Sequence, residues 1–113
     1  MNQPPEVHSP EVPAERFRST LAGSRNPDGG WGYYAGKASR LEPTCWATLA
    51  LVTPGAGRPP QPDAVRPFLG LVRRWRRESG LLAEDGLPPN LASNGLAALV
   101  LELLPGGGGG EAA

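Results

Sequence analysis

The segment Asn26-Pro27-Asp28-Gly29-Gly30-Trp31-Gly32 limits the folds open to this chain more than any other feature. Asn, Pro, Asp and Gly in that order suit a type I turn followed by a left-handed residue. Proline presets its own φ, the Asn side chain can bond to backbone further along, and Gly29 accepts positive φ without a Cβ clash. Gly30 and Gly32 leave room for Trp31 to lie against neighbouring backbone. Beyond the turn, Thr44-Cys45-Trp46-Ala47-Thr48-Leu49-Ala50-Leu51 reads as an apolar helix. The pair of features places Trp31, Tyr33 and Tyr34 over the open end of a helical hairpin, where large aromatics supply packing area.

Apolar spacing predicts four helices. The first spans 13–22, with Phe17 and Leu21 one turn apart and Pro13 tolerated at its start. The second spans 42–52. Ser39 and Glu42 have capping-box spacing before it, Trp46, Leu49 and Ala50 share one face, and Thr53-Pro54-Gly55 stops it. The third, 64–77, is the most periodic: Val65, Phe68, Leu69, Val72 and Trp75 line one face, and Asp63 can cap it. The fourth, 90–104, is apolar over most of its circumference and is expected to be the most buried.

The two halves align at an offset of fifty positions. Leu21 pairs with Leu71, Gly30 with Gly80, Trp31 with Leu81, Ala47 with Ala97, Leu49 with Leu99 and Leu51 with Leu101. A repeat of that period signals stacked supersecondary units, neither of which buries its apolar face alone. The units fall at 13–54 and 62–104. Residues 1–12, with Pro4, Pro5 and Pro10, and 105–113, with five consecutive glycines, read as disordered tails. Sixteen glycines and fourteen prolines, clustered between apolar segments, fit short helices joined by rigid turns.

Charge and cysteine usage narrow the functional classes. Eleven basic and eleven acidic side chains cancel, so no global field favours nucleic acid or an acidic partner. One cysteine, Cys45, forms no internal disulfide and fits a reducing, cytoplasmic setting; it reads as a small buried apolar residue. No apolar secretory leader opens the chain, and the longest apolar run, Leu96–Leu101, falls far short of the ~18 residues that a membrane span needs.

The turn and the helix after it resemble one repeat of the terpene cyclase and protein prenyltransferase α/α-toroid family. There, a Pro-Asp-Gly-Gly-Trp-Gly turn precedes a helix reading like Gln-Thr-Ala-Trp-Ala-Leu. The resemblance covers residues 17–52 well and 65–104 weakly, and it implies an all-α fold of two helical hairpins, a partial toroid. On it, Asp28, Gly29, Gly30, Trp31, Gly32, Thr44 and Trp46 are motif residues. Departures stand beside the matches. Arg25 occupies the place of the family's glutamine before the turn, Pro43 replaces the one before Thr44, and the second repeat has lost its tryptophan.

The family's catalytic equipment is missing. Squalene-hopene-type cyclases use an Asp-x-Asp-Asp cluster, in which neighbouring carboxylates keep one acid protonated. Here Asp28, Asp63 and Asp85 stand apart. Prenyltransferases hold zinc through Asp, Cys and His, whereas this chain has a single Cys and a single His, His8. No catalytic residue, cofactor or metal site is therefore assigned. Two hairpins cannot enclose the family's cavity, which predicts a fragment, companion subunit or remnant.

Two readings of Arg73-Arg74-Trp75-Arg76-Arg77 stand open. One is a solvated helix end, with arginines favourable near the C-terminus. The other is a peripheral membrane contact, with Trp75 at headgroup level and the arginines on anionic lipid. One basic helix end is too small a phosphate footprint for nucleic acid. The expected function is a non-catalytic repeat module that binds itself or another toroid-repeat chain. The alternative is a piece of an isoprenoid-processing enzyme that acts only with further repeats.

Overall fold

The computed structural model describes residues 11–54 and 62–104, with side chains for 16–54 and 63–104. Four α-helices make up the fold: α1 (Glu11–Gly23), α2 (Leu41–Val52), α3 (Val65–Trp75) and α4 (Leu91–Leu103). A 3-10 turn, Pro62–Ala64, leads into α3. Among the described residues there is no strand, only one isolated antiparallel bridge between Arg76 and Leu82. The all-α expectation holds. Helix α1 already begins at Glu11, two residues inside the segment read as a tail. The remainder of that tail and the segment 105–113 lie outside the described residues.

Helix α2 is the hub. It packs against α1, α3 and α4, and it buries Leu41, Thr44, Cys45, Ala47, Thr48, Leu51 and Val52. This corrects the expectation for α4, which buries only Ala97 and Val100 along its length. An all-round apolar sequence reports what a helix could bury, not how many neighbours surround it. Here α4 meets α2 alone among the described helices, so its far side faces solvent. In the second unit, α3 and α4 both lie on α2.

The core joins the elements across the repeat. Trp31, Leu41, Leu51, Phe68, Trp75, Leu82 and Val100 form one buried cluster drawn from three helices and both turns. Each such side chain contributes roughly 1.5–3 kcal/mol on full burial. A cluster shared by both halves therefore makes them one cooperative unit.

The helix caps differ from the sequence expectation. Arg40, not Ser39, is the N-cap of α2, and it makes no side-chain capping bond. The Ser39 hydroxyl donates to Asp28 Oδ1 (2.6 Å), while Glu42 accepts from the Tyr33 hydroxyl (2.7 Å). Both members of the supposed capping box are thus engaged with the turn. Asp63 sits in the 3-10 turn rather than capping α3, whose N-cap Ala64 offers no side-chain bond. Asn90 does cap α4, accepting from Ser93 N–H (2.8 Å).

Candidate functional site

The first turn is built as its residue types require. Gly29 has φ +92°, donates its N–H to Asn26 O (2.9 Å), and lies so close to the Pro67 ring that a Cβ would strike it. A Cβ on Gly32 would stand 2.6 Å from Lys37 O. The Asp28 carboxylate accepts from Gly30 N–H (3.0 Å) and Ser39, and the Asn26 amide donates to Lys37 O (2.8 Å). Trp31 is buried. Its indole N–H donates to Leu21 O (2.7 Å), and the Arg25 guanidinium lies 5.0 Å from the ring centroid. Arg25 therefore stacks on the tryptophan. Thr44 closes the arrangement: its hydroxyl accepts from Trp31 N–H (2.9 Å) and donates to Trp31 O (3.2 Å).

The second turn repeats this plan with other side chains. Arg77 N–H donates to Leu81 O and Gly80 N–H to Arg77 O, as Asn26 donates to Gly30 O and Gly29 to Asn26 O. Gly80 has φ +93°. The Asn94 side chain accepts from Leu82 N–H (2.7 Å) and donates to Leu82 O (2.9 Å), the two bonds that Thr44 makes to Trp31. Further on, Leu87 N–H reaches Glu84 O as Lys37 N–H reaches Tyr34 O, and Gly86 (φ +79°) matches Gly36 (φ +81°). These matched bonds set the register of the two turns one residue away from that of the sequence alignment. Gly29, not Gly30, pairs with Gly80, and Trp31 pairs with Leu82, not Leu81. The second turn is one residue shorter after this point, so the following helices return to the offset of fifty.

The two units are tied together by one carboxylate. Glu84 accepts from Leu41 N–H at the start of α2 (2.7 Å) and from Arg40 Nε (3.0 Å). Burial works against its ionisation. The bonds from Leu41 N–H and its own backbone N–H, with the Arg40 guanidinium, outweigh that cost and hold the carboxyl below its usual range. Sequence reading missed this residue because its partner stands 43 positions away.

The basic cluster is largely structural. Trp75 is buried in the core, which removes it from any headgroup layer and corrects that expectation. Arg74 pairs with Asp85 (2.6 Å), and Arg77 donates to Ala83 O (2.9 Å) and Glu84 O (2.8 Å). Arg73 and Arg76 remain exposed. No helix among the described residues is long and apolar enough to cross a membrane. The Cys45 thiol is buried, and desolvation, then the nearby Glu42 charge, pushes its pKa up to about 12. It stays protonated at neutral pH and lacks nucleophilic character. Among the described residues no group of three His, Cys, Asp or Glu side chains is placed to hold a metal.

The accessible feature that remains is apolar. Trp46 is 56% exposed on α2, not turned into the helix interface, and Phe17 on α1 is also exposed. Leu91, Leu99 and Leu103 are likewise exposed along α4. Comparison with protein-family models, curated proteins and solved structures finds no match.

Proposed function

We propose that this chain is a non-catalytic helical repeat module of the terpene-cyclase and prenyltransferase toroid type, associating with itself or with another chain of the same repeat. The observation that carries the reading is the exposed apolar surface on both units, Phe17 and Trp46 on the first and Leu91, Leu99 and Leu103 along α4 of the second. A stack of repeats gains stability from each neighbour interface, so a bare end is a place for another unit. A reducing, cytoplasmic setting belongs to the reading and suits an unpaired, unreactive Cys45. The alternative, a piece of an isoprenoid-processing enzyme, rests on the turn motif alone.

Sedimentation velocity and chemical denaturation over a wide concentration range test the reading. Sedimentation is expected to rise with concentration, as is the unfolding midpoint, and Trp46→Ala is expected to weaken association. A strictly monomeric chain whose unfolding ignores both concentration and Trp46→Ala would refute it. Incubation with squalene or a prenyl diphosphate is expected to give no product.

A further inference from the structure

The repeat relates the exposed ends of the chain to its own interior. Helix α4 lies on α2, and the offset of fifty places Leu91, Gly95 and Ala98 where α2 carries Leu41, Cys45 and Thr48. The three α2 residues are buried, Leu41 being only 2% exposed, whereas Leu91 is 73% exposed and Gly95 and Ala98 also face solvent. They fall at spacings of four and three, one stripe of each helix. The stripe that is buried on α2 is thus left bare on α4.

The first unit shows the complementary relation. Carried back through the turn, the offset of fifty-one sets Phe17 on Phe68, which is fully buried in the core. Trp46 corresponds to Leu96, which packs against the core. Phe17 and Trp46 are therefore counterparts of one fully buried and one partly buried core residue, and both stand exposed. Helix α4 thus exposes the stripe that its counterpart α2 buries, and the first unit exposes the counterparts of residues that the second unit packs into the core.

Resting on the association reading, we infer that the partner is a second copy of this chain, docked head to tail. The α4 stripe Leu91/Gly95/Ala98 of one copy covers Phe17 and Trp46 of the next and continues the internal α2–α4 contact. Such a contact joins two different faces, so it leaves a free end on each copy and extends beyond a dimer unless a ring closes. Gly95 leaves open space where a Cβ would project, which allows a helix to approach closely.

Complementation between two blocked variants tests this. Trp46→Glu blocks one face, and the double change Leu91→Glu with Ala98→Glu blocks the other. All three sites are exposed, so circular dichroism should report unchanged helix, and Phe17→Glu replaces Trp46→Glu if that variant unfolds. By sedimentation, wild type should pass beyond dimer as concentration rises. Each variant alone should associate at least tenfold more weakly than wild type, and an equimolar mixture should form a 1:1 dimer and stop there. A variant that still dimerises alone, or a mixture that stays monomeric while wild type associates, overturns the head-to-tail geometry and leaves the association reading standing. A wild-type chain that is monomeric throughout, with concentration-independent unfolding, overturns both.

Discussion

The turn at 26–44 and the turn at 77–94 draw the same hydrogen bonds with different residues. Where the first uses a threonine hydroxyl to hold both polar groups of Trp31, the second uses an asparagine amide on Leu82. Where the first seats Gly29 against Pro67, the second leaves open space around Gly80. The backbone path is thus the conserved quantity between the halves, and side chains are free to change if they supply one donor and one acceptor at the right place. The first turn is nonetheless more tightly packed, and so it should be the more sensitive of the two.

Truncation of the anchoring side chain should separate them most. Trp31→Ala removes a buried indole, its bond to Leu21 and the Arg25 stack, with an expected loss of about 3–5 kcal/mol. Leu82→Ala should cost about 2–4 kcal/mol by the same route. Urea denaturation of both variants checks the order, and an equal or larger loss at Leu82 would break the comparison.

The glycines come next. Gly29→Ala combines left-handed strain with a clash on the Pro67 ring, for an expected loss of about 2–4 kcal/mol. Gly80→Ala carries the strain alone, about 1–2 kcal/mol. Thermal unfolding should resolve the gap between them.

Two threonines one helical turn apart offer a sharper contrast. Thr44→Val strands Trp31 N–H in the core and should destabilise by about 1–3 kcal/mol. Thr48 Oγ1 is buried without a hydrogen-bond partner. Thr48→Val therefore should be neutral or stabilising, by up to about 1 kcal/mol. The same substitution is expected to change sign within four residues. A comparable loss at both positions, measured by denaturant titration, would show that packing rather than hydrogen bonding governs the site.

The smallest effect concerns the link between units. Because the folded Glu84 carboxyl titrates below its unfolded value, its stabilisation is complete above the unfolded pKa of about 4.3 and is lost as pH falls through the lower folded value. Glu84→Gln should cost about 1 kcal/mol at neutral pH. It should also flatten the acid limb of a stability-against-pH curve, and an unchanged limb would remove Glu84 from the account.

Much of this architecture was legible in the residues. Helical periodicity placed all four helices within a few residues, because apolar spacing is local. The Asn-Pro-Asp-Gly order identified the turn, since only glycine takes positive φ there without strain. The register of the repeat was misread by one residue because identical glycines were matched instead of the position that needs positive φ. The cap of α2 differs because Ser39 and Glu42 bond to the turn, while the carboxylate at the start of that helix comes from Glu84, 43 positions along the chain. The exposure of Trp46 and of the α4 stripe is a tertiary fact, settled by how many neighbours each helix has. No local pattern encodes that number.

The position of Glu84 has a bearing on how such a chain can be extended. Its counterpart in the first unit is Tyr34, as the matched turn bonds Lys37–Tyr34 and Leu87–Glu84 establish. An array made by concatenating the first unit would put tyrosine wherever the preceding helix presents an open N–H to a carboxylate. Each junction would then lose an anionic cap and leave the arginine at the place of Arg40 without its carboxylate. The halves are therefore ordered, not interchangeable, and a synthetic ladder would need an acidic residue at this place in every rung after the first.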